Sequence, residues 1–337
     1  MDKIRVGVIG VGHMGLYHVN VLSTLNNKIE LAGVSDINEK TASAVGSKYN
    51  VPYYLDNEDL LKNVDAVCIA APTYLHYEIT MKAFNHNVHV LVEKPIAKEL
   101  KEAETLVNTA KKKNLIFQVG HLERFRGTVR GVKKLIKNPY LIEAKRLQPR
   151  NNRITDVGVV LDLMIHDIDI IHMLIESEVE KISAFGKSVY TDHEDIAKVN
   201  LLFKNGCIVD LTTSRLSQEK IRSLNIYQEK ADLLLNFFKD EISIRRKSQT
   251  GYEVAKEELK YHEKMSIENL YIHTDNPLKN EIVHFINCIS GDEKPLVEGE
   301  WDLKTLSVAL NVLDILNEIN GKSHNKLNTV SMHKNKL

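Results

Sequence analysis

IRVGVIGVGHMGLYH, residues 4–18, joins an apolar run to a glycine-spaced turn and then to a helical pattern. Residues 4–9 carry a single charge among Val, Ile and Gly, the composition of a strand buried on both faces. Gly10-x-Gly12-x-x-Gly15 follows at once. Alone the spacing is a weak signal. Between a strand and a helix, at the head of an alternating pattern, it reads as a phosphate-binding turn. Gly10 permits the tight turn, Gly12 lets the backbone approach a pyrophosphate, and Gly15 lets the helix pack on the strand. The helix N-terminus, with His13 and Met14, offers unpaired N–H groups and partial positive charge to the phosphates.

The pattern continues outward. IELAGVS, DAVCIAA, VHVLVE and LIFQVG are further buried strands, and LYHVNVLSTL, NEKTASAVGSKY and LKEAETLVNTAKKK are amphipathic helices between them. Strict alternation specifies right-handed βαβ units in a doubly wound parallel sheet, an N-terminal Rossmann domain over residues 1–122. Asp36 ends the second strand, 21 positions after Gly15, where a carboxylate takes the ribose hydroxyls. It would repel a ribose phosphate and no Arg follows it, so NAD is expected rather than NADP. Asp36 as a cap for the next helix is the alternative. Pro72, Thr73 and His76 follow the strand DAVCIAA, and Glu93-Lys94 stand at the end of VHVLVE, at the carboxyl ends where open α/β sheets bind ligands. All five are expected near the cofactor, with Lys94 at the nicotinamide.

From residue 123 the rhythm changes. LIEAKRLQ, VEKISAFGKSV, AKVNLLF, CIVDLTTSRL, SLNIYQ and ADLLLNF read as strands separated mainly by turns such as Lys204-Asn205-Gly206. Residues 123–337 are therefore expected to form an α+β domain with a mainly antiparallel open sheet, and a polar tail from about residue 321. The other face of the sheet would be covered by a helix over 158–175 and a late helix pair over 278–320. The first of these, GVVLDLMIHDIDII, carries charges on an apolar background. On an α-helix Asp162, His166 and Asp169 fall within an arc of roughly 60°. Such a stripe lines a cleft, and a carboxylate one turn from His166 would fix its tautomer and raise its basicity for work as a general base. An internal salt-bridge network, or a metal site including His172, are the alternatives.

Taken in order, Gly10-x-Gly12-x-x-Gly15, Glu93-Lys94-Pro95, Gly120-His121-x-x-Arg124-Phe125 and Asp162-x-x-x-His166 resemble the glucose–fructose oxidoreductase and inositol dehydrogenase family, Gfo/Idh/MocA, over essentially the whole chain. The resemblance implies a nicotinamide cofactor, no catalytic metal, and a C-terminal sheet used for substrate and subunit contacts in a homodimer or homotetramer. It places the catalytic lysine on Lys94 and the Asp/His pair on Asp162 and His166: Asp162 orients His166, His166 takes a hydroxyl proton, and Lys94 holds the same oxygen. Many members have Asn-Pro after the Arg-Phe pair where Arg126-Gly127 stands here, which alters local substrate contacts. GHLERF followed by RITDVGVVLDLMIHDIDII is similar to the branch that makes 3-keto and then 3-amino sugar nucleotides. That branch implies UDP-N-acetylglucosamine, oxidised at its 3-hydroxyl, as substrate. An inositol or free sugar, a non-catalytic NAD-binding sensor, and hydrolysis through a transient ketone are the rivals.

Charge supports an anionic substrate. From His121 to Arg153 the chain holds ten Lys/Arg against Glu123 and Glu143. Arg124, Arg150 and Arg153 are the candidates for a diphosphate, whereas the lysines of GTVRGVKKLIK read as a solvated face. The whole chain balances 45 basic against 45 acidic residues, so neither nucleic acid nor a membrane surface is an expected partner. The N-terminus lacks the design of a signal peptide, and Cys68, Cys207 and Cys288 are expected as reduced core residues of a cytoplasmic protein.

Overall fold

The structure, a computed structural model, describes residues 3–150, 157–247, 265–272, 276–297 and 299–319. The first part alternates β1 (Ile4–Ile9), α1 (His13–Leu22), β2 (Ile29–Ser35), α2 (Glu39–Tyr49), β3 (Tyr53–Tyr54), α3 (Asn57–Leu61), β4 (Ala66–Ile69), α4 (His76–Asn85), β5 (His89–Glu93), α5 (Leu100–Lys113) and β6 (Phe117–Gly120). All six strands are parallel, in the order β3-β2-β1-β4-β5-β6. The order reverses between β1 and β4, so the crevice at their carboxyl ends is the place for a ligand. Both faces are covered, which is why these strands are apolar throughout rather than alternating.

The second part comprises α6 (Gly127–Leu135), β7 (Leu141–Leu147), α7 (Ile165–Leu174), β8 (Val179–Lys187), β9 (Ile196–Phe203), β10 (Ile208–Ser214), β11 (Ile221–Gln228), β12 (Ala231–Asn236), β13 (Glu241–Lys247), β14 (Met265–Tyr271), α8 (Pro277–Ser290) and α9 (Gly299–Ile319). Its strands form an eight-stranded sheet, β14-β13-β12-β11-β7-β10-β9-β8. The expected α+β architecture is what the structure has. Alternate residues such as Val199, Leu201, Val209, Leu211, Leu224 and Ile226 enter a core with α7 and α9, and the opposite face is open.

Four details differ from the sequence reading. β13 and β14 were not anticipated, because EISIRRK and MSIENLY hold charges at the positions that an alternation count uses. β7 and β10 pair in parallel inside the otherwise antiparallel sheet. The segment before α7 is a π-helical turn, Val160–Met164, rather than regular α-helix. Finally, α8 does not cover the second sheet. Its Leu278, Ile282, Phe285 and Ile286 pack with Val6, Val8 and Val19 in the first domain's core, while α9 joins Leu306 to that domain's other face and Val308, Val312 and Leu316 to the second core. Amphipathicity shows that a helix has a buried face but not which sheet it will bury against. The three cysteines are buried and unpaired.

Phe285 is fully buried in the first domain's core, so Phe285→Ala is expected to cost about 3–5 kcal/mol of stability. Hydrogen exchange should then show protection falling first in β1 and α1. A loss confined to β9–β11 would contradict this packing.

Candidate active site

The glycine turn closes tightly and leaves its mouth open. Gly10 sits at φ +80°, and a Cβ there would stand 2.8 Å from the Ala70 carbonyl oxygen. A Cβ on Gly15 would overlap the Gly10 carbonyl oxygen at 1.8 Å, so only glycine lets α1 approach β1 this closely. At Gly12 the same atom would enter open space, and no side chain caps the N–H groups of α1 that follow. An open cradle facing uncapped N–H groups fits a pyrophosphate. His13 is exposed, edge-on to Tyr17, and Met14 is half-buried beside it. The Asp36 carboxylate accepts from the Val11 and Asn38 backbone N–H groups, both at 2.9 Å, which pins it beside the turn. Asn38, not Asp36, is the side-chain cap of α2. Pro72 is exposed and Thr73 opens a short 3₁₀ turn along the same crevice.

His76 and Glu93 stand one layer behind. His76 is buried with Nδ1 2.8 Å from the Pro95 carbonyl and Nε2 2.8 Å from that of Ala71, tying the loop after β4 to the loop after β5. A neutral ring donates to only one of them. Burial nevertheless outweighs the pull of both carbonyls and keeps the ring below its usual pKa. Glu93 pairs with buried His18 at 2.8 Å. Burial would raise the Glu93 pKa, but His18 and Lys94 hold it below the usual range. Both residues were expected to touch the cofactor, whereas their polar atoms are spent on shaping the loops that carry Lys94.

Lys94 bridges the two domains. Its Nζ donates to the Asp162 carbonyl oxygen at 2.7 Å and lies 3.5 Å from the Asp162 carboxylate. The expectation that Asp162 orients His166 and raises its basicity is corrected. The π turn changes the angular offset between positions 162 and 166 from that of an α-helix. Asp162 faces Lys94 and, at 4.0 Å, Arg215. The His166 Nδ1 is buried without a hydrogen-bond partner. Burial first, then Lys94 and Arg146, holds this ring well below its usual pKa, so it is neutral at neutral pH.

Asp169 and Arg124 are not in the cleft. Arg124 is 2% exposed and donates Nε to Asp169 Oδ2 at 2.8 Å and Nη2 both to Asp169 Oδ1 and, at 2.6 Å, to Asp302 Oδ1. A guanidinium so buried and shared between two carboxylates is closed to a substrate, which corrects its expected role. For Asp169 the internal salt bridge is the right reading. Burial pushes Asp302 up to about 6 against the pull of Arg124, while Asp169, opposed by the same burial, is held below its usual value by Arg124. His121 lies 3.8 Å from Asp169 and 3.9 Å from Asp302, and burial pushes it down to about 4. His121, Asp169 and Asp302 have metal-ligand spacing, but the Arg124 guanidinium is already the cation between the carboxylates. His172 meets Asp169 only through Thr305, its Nδ1 lying 3.2 Å from the Thr305 hydroxyl.

Other residues of the site were not singled out in the sequence. Arg146 makes a bidentate pair with Asp167 at 2.9 and 2.6 Å. Glu123 takes Arg126 at 2.9 Å and Arg222 at 3.3 Å. Glu194 accepts from the Val160 N–H at 3.0 Å and Arg215 donates to the Val157 carbonyl at 2.8 Å, so two strand ends hold the π turn in place. Arg150 is exposed, its guanidinium 4.8 Å from the Tyr190 ring centre, and Arg153 lies outside the described residues. Lys133 and Lys134 are solvent-exposed, as a solvated helix face requires.

Residues 4–121 match the oxidoreductase family with an NAD-binding Rossmann fold, and residues 123–234 match the GFO/IDH/MocA C-terminal domain. The chain belongs to the Gfo/Idh/MocA family of oxidoreductases. It is 29% identical over 316 residues to the UDP-N-acetylglucosamine 3-dehydrogenase of Acidithiobacillus ferrooxidans, covering 93% of this chain and 97% of that one. The solved structure of that enzyme superposes with a TM-score of 0.86 at 28% identity, over 94% of this chain and 99% of the other. The myo-inositol 2-dehydrogenase of Thermotoga maritima is also 29% identical, over 63% of this chain and 69% of its own.

Breaking one side of a buried pair strands the other charge. Arg124→Met, which leaves Asp169 and Asp302 facing each other, is expected to cost about 3–5 kcal/mol in chemical unfolding. Asp302→Asn, which spares the bidentate pair with Asp169, should cost distinctly less. Equal losses would show that the two carboxylates do not share the guanidinium in this way.

Proposed function

We propose that the protein oxidises the 3-hydroxyl of UDP-N-acetylglucosamine, or runs the reverse, with NAD(H) as its cofactor. At the coarser level the chain is an oxidoreductase of an NAD-binding sugar and polyol dehydrogenase family. The observation that carries the finer reading is the charge around the candidate base. After burial, the groups that lower the His166 pKa include three permanent cations, Lys94, Arg146 and Arg222. A neutral cyclitol needs no such field, whereas a diphosphate does. The likeness to the nucleotide-sugar enzyme along nearly its whole length agrees with this.

Gly10, Gly12, His13, Met14 and Gly15 would cradle the pyrophosphate, and Pro72 and Thr73 would line its path. Asp36 would take the ribose hydroxyls, so NADH should bind in preference to NADPH. When bound, the nicotinamide supplies the hydride acceptor or donor. His166, neutral, takes the hydroxyl proton. Lys94, placed by Asp162, donates to the same oxygen and stabilises the charge that develops on it. Arg150 and Arg153 remain candidates for substrate contact at the rim. The buried free thiols fit a reducing, cytoplasmic setting.

The deciding assay follows NADH formation with UDP-N-acetylglucosamine, free N-acetylglucosamine and myo-inositol. The nucleotide sugar is expected to give the largest kcat/KM. Faster turnover of myo-inositol, or tighter binding of NADPH than NADH, overturns the corresponding part. Lys94→Ala and His166→Ala should each lose about 10² to 10⁴ in turnover while still binding NADH. Since the His166 pKa is depressed, its basic form persists as pH falls, so the acid limb of kcat/KM should lie below the usual histidine value of 6.5. An acid limb above that value would exclude His166 as the base.

Subunits would associate through the open face of the second sheet, where exposed Ile208 lies in register with Leu202 and Leu141. Light scattering at micromolar concentration should return a dimer or tetramer, and a monomer would contradict it.

A further inference from the structure

The inner face of the second sheet sets two arginines side by side. In the register of β7 with β11, Arg146 lies directly opposite Arg222, on the face that carries Leu224 and Ile226 into the core. Like charges placed so repel each other, and the chain compensates the two unequally. Arg146 is buried, commits its fork to Asp167, and also has Glu123 at 3.6 Å. Arg222 makes one hydrogen bond, Nη1 to Glu123 Oε1 at 3.3 Å, to a carboxylate that Arg126 engages more closely at 2.9 Å. Arg126 has Asp240 besides, at 2.7 Å. Among the described residues, the remaining N–H groups of Arg222 have no acceptor.

The side chain of Arg222 is 28% exposed and its guanidinium lies 5.7 Å from the ring centre of Phe238, itself at the surface. An aromatic face fixes the plane of a guanidinium without using its donors. Desolvation, and then Arg146, both oppose the charge on Arg222, and a guanidinium does not relieve this by losing its proton. The arginine is thus largely covered, short of counter-charge and still open on one side. Glu123 joins it to Arg146 at 3.6 Å, and Arg146 grips Asp167, the residue that follows His166, so Arg222 stands in the neighbourhood of the candidate base.

We propose that Arg222 grips the anionic group of the substrate, presenting its open N–H groups as a two-pronged donor while Phe238 holds the guanidinium plane. A phosphate or a carboxylate satisfies that geometry, because both offer paired oxygens to an arginine fork. The identification of the anion as a nucleotide diphosphate rests on the function proposed above. The existence of the anion site does not.

The test measures binding of UDP and, separately, of glucuronate to the NADH-loaded full chain by calorimetry, for wild type, Arg222→Gln and Arg222→Lys. The KM and kcat for UDP-N-acetylglucosamine are measured in parallel. Loss of one charge-assisted contact should weaken UDP about tenfold to a hundredfold in Arg222→Gln. KM should rise in proportion with kcat changing less than about threefold, the signature of a contact equally present before and during reaction. Arg222→Lys, which keeps the charge but not the fork, should fall between, and carries the test if the glutamine variant does not fold. Dependence of glucuronate alone on Arg222 supports a carboxylate as the anion. Arg222-dependent UDP binding without oxidation of UDP-N-acetylglucosamine removes the proposed substrate and leaves the anion site standing. UDP and glucuronate binding that is unchanged in both variants overturns the inference.

Discussion

The guanidinium of Arg124, divided between Asp169 and Asp302, sets the geometry on which the site depends. It ties the segment after β6 to both α7 and α9 at a single buried point. All three groups are buried, so each charge must find its counterpart inside the protein. Apolar packing tolerates small rotations of a helix about its axis, whereas a bidentate fork does not. The ion pair therefore fixes how α7 is turned, and with it the direction in which His166 faces.

The same helix is held twice more. Asp167, two residues before Asp169, anchors it to the second sheet through Arg146, and Asp162, in the preceding π turn, meets Lys94 from the first domain. Three acidic residues on one segment thus meet three cations from three directions. His166 is left between them with an unpartnered ring nitrogen. A ring in that field is a weak base. In the function proposed above, the cations that weaken it would also stabilise the oxyanion of a bound alcohol, so that what the base loses in strength the hydroxyl gains in acidity. Lys94 would act on both sides of that balance, and its placement by Asp162 would then matter more than a direct contact between Asp162 and His166.

How much of this was legible in the sequence follows from how local each feature is. The glycine turn, five of the six parallel strands and six strands of the second sheet were readable because a few consecutive residues determine each, whereas the two-residue β3 is too short to carry a pattern. Lys94 was readable for the same reason, as a cation at the carboxyl end of a buried strand. The partner of Asp169 was not, since Arg124 stands 45 residues before it and Asp302 far beyond. The destination of α8 was hidden because its apolar stripe fits either sheet. The π turn depends on Glu194 and Arg215, which reach it from loops beyond β8 and β10, and nothing between residues 158 and 166 announces it.

Charge counting along the chain shows the same limit from another side. The stretch from His121 to Arg153 looks like an anion site because ten basic residues meet two acids there. In space most of that excess disappears. Arg124, Arg126 and Arg146 are answered by Asp169, Asp302, Asp240 and Asp167, all from later in the chain, and the lysines of α6 face water. Among the largely covered arginines, the one with the thinnest compensation is Arg222, which lies outside the run altogether, on a strand where it is the single charge. Buried charge draws its meaning from what surrounds it in three dimensions, because the cost of desolvation is met only by groups within a few ångströms. A local run of like charge in a sequence therefore marks where counter-charges must converge on folding. On the proposal for Arg222, the place where they fail to converge is the place left for a ligand.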